Sequence, residues 1–169
     1  MSGDQLQSLL VPNPNPHVPG ATGDYAACTG DTNGTIDYYP GMNGTTDATA
    51  ANGAFVYFGY RITFQSITDG LGNTIFVGEK HVPKMAYGAS PDSSVYNGDN
   101  GASHRQAGVG APLANGPYGT GQFGSYHPGV CLFAMGDASV RAISTGIDLA
   151  NLSYLANRHD EQIITYKFE

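Results

Sequence analysis

Hydrophobic and polar positions alternate at strand period in several parts of the chain, most clearly between Phe123 and Ile143. Val130 to Met135 (VCLFAM) is apolar on both sides, with Val130, Leu132 and Ala134 on one face and Cys131, Phe133 and Met135 on the other. That pattern predicts a buried strand. Ala138 to Ile143 mixes apolar Val140 and Ile143 with polar Ser139 and Arg141, as a strand with one wet side does. Gly136-Asp137 between the two runs predicts a two-residue β-hairpin loop. Further strands are predicted over Asp24 to Thr29, Ala54 to Tyr60, Arg61 to Phe64, Asn73 to Glu79 and Gln162 to Phe168. Asp148, just ahead of Leu149, Leu152, Leu155 and Ala156, predicts a short capped helix. Arg158 and His159 fall at its C-terminal end, where the helix dipole favours cations.

The rest of the chain is built from turn and loop residues. Asp4 to Leu10 carries leucines at helical spacing but is too brief to be stable alone, and residues 12 to 20 (PNPNPHVPG) must run extended. Residues 1–20 therefore read as an N-terminal remnant and Pro-rich strap, and residues 21–169 as a single domain. Asp31 to Ala51, dominated by Gly, Asn, Asp and Thr, reads as a long ordered loop, and Val82 to Leu113 loses periodicity and reads as a variable surface excursion. The fold class is α+β with strands dominating.

Composition narrows the function classes. Charged residues make up 12% of the 169 positions, half the usual share of about 25%, so Asn, Ser, Thr and Tyr carry the polar surface. A net charge of −7 with only seven Lys and Arg leaves no basic stripe, and nucleic acid is excluded as an expected partner. No stretch approaches the ~20 apolar residues of a membrane helix. Cys28 and Cys131 permit one intrachain disulfide; the alternative is a pair of buried free thiols, Cys131 lying in an apolar strand.

Four blocks then resemble one family. His127, nine residues and Asp137 resemble the His-x9-Asp-Gly signature of a pilin-like family abundant in planctomycetes, domain of unknown function 1559, with Ala138 standing where that signature has glycine. The run Ile67 to Glu79 (ITDGLGNTIFVGE) resembles the family's ITDG, SNT and GE elements, Thr22 to Ala26 its TDYA segment, and Asn52 to Phe55 its NG-hydrophobe segment. The resemblance marks Asp69, Gly70, Asn73, Glu79, His127, Gly136 and Asp137 as motif residues. It implies an antiparallel sheet forming the globular head of a type IV pilin-like or type II secretion pseudopilin-like subunit. It also implies a hydrophobic N-terminal helix ahead of the residues matched, so the chain is expected to be the head without its membrane anchor. The expected protein is non-enzymatic and exported to the periplasm or cell surface, where it contacts other pilin-like subunits or cell-surface components.

Three chemistries remain to be weighed. Asp31, Asn33, Thr35 and Asp37 place oxygens at alternate positions, as a calcium loop does, but the sixth-position Gly and twelfth-position Glu of an EF-hand are missing. An irregular calcium site on Asp31, Asn33 and Asp37 is the one cofactor to consider, against ordinary turn chemistry. His127 with Asp137, and Ser125 two residues upstream, invites a hydrolase reading, although no nucleophile elbow surrounds the serine. A strand entrance at His127 and a turn at Asp137 explain the same residues. Eleven tyrosines, most near loops, leave open an extracellular glycan-binding module. Glu79, ending an apolar strand, requires a hydrogen-bond donor, expected from the central hairpin.

Overall fold

The computed structural model describes residues 20–31, 52–56, 61–88, 92, 94–96, 103–117 and 121–168. Five strands form one sheet: β1 (Tyr25–Cys28), β2 (Ile75–Glu79), β3 (His104–Arg105), β4 (Val130–Met135) and β5 (Val140–Ser144). Their order is β3-β1-β2-β4-β5. A single α-helix among the described residues, α1 (Leu149–Ala156), packs against one face. No helix among the described residues is long and apolar enough to cross a membrane.

The architecture is α+β and sheet-rich, but the sheet is mixed rather than antiparallel. β1–β2, β2–β4 and β4–β5 are antiparallel, whereas β3 runs parallel to β1, pairing Ala27 with His104 and Cys28 with Arg105. Two polar residues are too few to show periodicity, which is why β3 was hidden inside an expected loop. It is fixed by Ala27 N–H donating to Ser103 O and Thr29 N–H to Arg105 O, both at 2.9 Å.

Strand alternation sorts the sheet into two faces. Ala26, Cys28, Ile75, Cys131, Phe133 and Ile143 point to the core, where Phe123 meets Phe133 edge-to-face at 5.3 Å and Leu152, Leu155 and Ala156 of α1 close the layer. The helix starts as its sequence dictates, with Asp148 Oδ1 accepting the Asn151 N–H at 2.9 Å. Its C-terminal end differs from expectation: Arg158 turns inward and donates to Gly53 O at 2.8 Å, tying residues 52–53 to the end of α1.

Three expected strands do not form among the described residues. Residues 61–63 are irregular and lead into a 3-10 turn (Phe64–Ser66), in which Ser66 N–H bonds Thr63 O and the Ser66 hydroxyl accepts the Thr63 N–H. Ala54 to Val56 forms no strand either, and residues 57–60 lie outside the described residues. The C-terminal run does alternate, Ile164, Tyr166 and Phe168 packing on the core, but it joins no strand. Its Thr165 and Tyr166 N–H groups are both taken by the Asn151 side chain, at 2.8 and 3.0 Å.

The hairpin between β4 and β5 is one residue longer than the sequence implied. Ala138 N–H bonds Met135 O at 3.0 Å and Met135 N–H bonds Ser139 O at 2.9 Å, giving a three-residue loop, Gly136-Asp137-Ala138, whose last residue is left-handed with φ +67°. Glycine takes that conformation without the steric cost alanine incurs. Gly136 has a different reason: a Cβ there would lie 2.6 Å from the Phe76 ring.

Two testable outcomes follow from these elements. Ala138→Gly should stabilise the protein by about 1 kcal/mol in urea unfolding, since it relieves the left-handed penalty; a destabilisation would show that the turn is not strained. His104, buried beside Arg105, has its pKa pushed from 6.5 down to about 4, chiefly by burial. The unfolded chain therefore binds a proton between pH 6.5 and 4 that the folded chain refuses. Stability should be complete above pH 6.5 and fall by up to about 3 kcal/mol as the pH drops to 4. His104→Gln should flatten that slope in thermal melts; an unchanged slope would assign the acid sensitivity elsewhere.

Candidate functional site

The motif residues gather into three separate clamps. The first is built where β2 parts from β4. Gly78 is the last β2 residue registered against β4, opposite Phe133, and Lys80 already bridges to Phe123 while Gly124 N–H bonds Glu79 O at 2.9 Å. A divergence of this kind deprives the next β4 amide, Leu132 N–H, of a backbone acceptor. Glu79 supplies one: its Oε2 accepts Leu132 N–H at 2.7 Å, and its Oε1 lies 3.1 Å from His127 Nε2. The carboxylate is 13% exposed and the imidazole 58% exposed. Glu79 thus finds its donors in and just before the central hairpin.

The second clamp joins the ITDG block to the end of α1. Asp69 Oδ2 accepts Asp160 N–H at 2.9 Å and Oδ1 accepts Glu161 N–H at 2.8 Å, with Glu161 left-handed at φ +57°. Successive amides in such a turn form a concavity that suits an anion, and here the protein's own carboxylate fills it. Gly70, at φ +93°, turns the chain so that its carbonyl accepts Asn73 N–H and the Thr74 hydroxyl, while Asn73 Nδ2 donates to Asp69 O. Glycine is the residue that adopts this backbone conformation freely.

The third clamp is the hairpin loop itself. Asp137 Oδ1 accepts both the N–H and the hydroxyl of Ser139, at 2.9 and 2.6 Å. These bonds, the hydroxyl first, hold its carboxyl below the usual carboxylate range.

The catalytic arrangement is therefore not formed. His127 precedes β4 and Asp137 follows it, so the six-residue strand, roughly 20 Å long, stands between them. Ser125 is also engaged: its hydroxyl donates to Val130 O at 2.6 Å and accepts His127 N–H at 3.1 Å. The disulfide is not formed either. Cys28 and Cys131 are both buried free thiols, and β2 lies between their strands, which sets them roughly 10 Å apart, beyond the reach of a disulfide. Burial pushes each thiol up to about 12.

Of the calcium ligands considered, Asn33 and Asp37 lie outside the described residues. Asp31 is buried and bonded to Asn52, whose Nδ2 donates to Asp31 Oδ1 at 2.8 Å and whose Oδ1 accepts Asp31 N–H. Among the described residues no group of three His, Cys, Asp or Glu could hold a metal ion. Tyr87 and Tyr96 are exposed, and neither lines the groove of about 620 Å³ bordered by Phe55, Phe64, Phe76, Ile62 and Arg61.

A family model described as a protein of unknown function (DUF1559) matches residues 10–150. The chain belongs to this family. No curated protein and no solved structure matches it. In this DUF1559 chain the residues marked from the sequence hold strands, turns and the segment after α1 together, and sequence reasoning gave no role to Asp69, whose partners lie 91 and 92 residues away, or to Gly70 and Asn73 beside it.

Glu79 should dominate the stability of the first clamp. Glu79→Leu, which leaves the Leu132 amide without an acceptor, should cost about 2 kcal/mol in urea unfolding, while Glu79→Gln should cost less because it keeps an acceptor. His127→Ala should cost under about 1 kcal/mol, since the ring is largely solvated. A His127→Ala loss as large as that of Glu79→Leu would contradict this ranking.

Proposed function

We propose that this chain is the globular head of an exported, pilin-like structural subunit that works by assembly at the cell surface rather than by catalysis. One observation carries the reading. The sheet face opposite the core is itself apolar: Ala27, Val77, Leu132, Ala134 and Ala142 are half-buried and Val140 is 69% exposed. Large apolar sheet faces are stable when another layer covers them. A hydrophobic helix preceding the head, anchoring it in the inner membrane or a filament, is the cover this reading supplies. Motif carboxylates engaged in internal hydrogen bonds also favour a scaffold over an active site.

The alternative is an extracellular glycan-binding module. The groove beside Phe55, Phe64 and Phe76 favours it, because aromatic faces suit sugar rings and Phe64 is exposed.

The deciding experiment charges the outer face in protein expressed from the natural gene. Ala142→Arg should shift folding stability by no more than about 1 kcal/mol, yet remove the protein from the sheared surface fraction of its host. Undiminished recovery in that fraction would overturn the reading. Saturable glycan-array binding, lost in Phe64→Ala, would establish the alternative.

A further inference from the structure

Lys80 follows β2 and is drawn into the interior by Lys80 N–H bonding Asp24 O at 2.8 Å. Its side chain is fully buried, and Nζ lies 3.1 Å from Oδ1 of Asp92, a carboxylate only 9% exposed. The other oxygen, Asp92 Oδ2, accepts Gly88 N–H at 2.9 Å. One carboxylate oxygen thus faces a primary amine while its twin is held by a fixed backbone donor.

We propose that Lys80 and Asp92 condense to an intramolecular amide, a covalent cross-link that closes the chain between the end of β2 and the loop that follows. One ammonium proton first passes to Oδ1, and the freed Nζ lone pair then attacks Cγ of Asp92, forming the N–C bond. Oδ2 carries the developing negative charge against Gly88 N–H, as an oxyanion-hole donor requires. Oδ1 takes a second of the three ammonium protons and leaves as water, breaking the C–O bond. An ammonium and a carboxylate thereby become an amide and one water, and no oxidant, reductant or co-reactant enters.

Two physical terms drive the step. Groups held in contact react with effective concentrations on the order of 10⁵ M or more, which outweighs the dilution that makes amides unfavourable in water. A buried ion pair also bears the desolvation of two charges, and a neutral amide does not. Burial lowers the Lys80 pKa, with Arg105 nearby acting in the same direction, and so favours the nucleophilic free amine; the Asp92 and Asp24 carboxylates act against it.

Intact-mass measurement of the purified full chain tests the proposal. The expected mass is lighter than the sequence mass by one water, and a tryptic digest should lack cleavage after Lys80 and yield a branched peptide joining Lys80 to Asp92. Lys80→Arg, which keeps the charge but cannot form this amide, should restore the full mass of its sequence. Asp69-Gly70 could lose water by succinimide formation, so the digest is repeated after hydroxylamine, which opens a succinimide and spares an amide. A wild-type mass equal to the sequence mass would overturn the proposal. So would a deficit that hydroxylamine removes or that maps away from Lys80 and Asp92.

Discussion

A sheet that must release one strand early creates an orphaned amide, and in this protein a single carboxylate meets it. β2 leaves β4 after Gly78 because its continuation pairs with the Phe123–Gly124 segment instead, and that segment places Phe123 in the core. The change of partner holds only if Leu132 N–H is satisfied at the point of separation. Glu79 does so at 2.7 Å, and His127 holds the second oxygen from the loop that leads into β4. These two contacts tie the start of β4 and the loop leading into it to the end of β2.

The other motif residues repeat the logic at different places. Asp69 satisfies two amides in the turn after α1, and Asp137 satisfies two donors of Ser139 in the hairpin loop. Carboxylates bound to backbone amides make strong, charge-assisted hydrogen bonds, so a chain with 24 glycines and few charges can hold irregular segments in one conformation. In this chain Asp69, Glu79 and Asp137 each answer the hydrogen-bonding demands of a turn or a strand end.

Much of this was legible in the sequence. VCLFAM read as a strand apolar on both faces, and β4 occupies those residues with Cys131, Phe133 and Met135 inward. Asp148 announced the helix it caps. Glu79 at the end of an apolar strand required a donor, and the hairpin supplied one. What stayed hidden depended on distant partners. The parallel β3 has two residues and no pattern of its own. The C-terminal run alternates like a strand, yet Asn151 on α1 takes its amides. The hairpin loop gained a third residue because Ala138 adopts a left-handed conformation that alanine rarely takes. Cys28 and Cys131 looked pairable until the strand order put β2 between them.

The central claim is that Glu79 serves as the acceptor for the β4 amide that the departing strand leaves behind. Hydrogen exchange at Leu132 N–H tests it most directly. The account predicts protection comparable to that of the paired β4 amides in the native protein, and its selective loss in Glu79→Ala while Phe133 stays protected. Rapid exchange of Leu132 in the native protein, or protection that survives removal of the carboxylate, would contradict it.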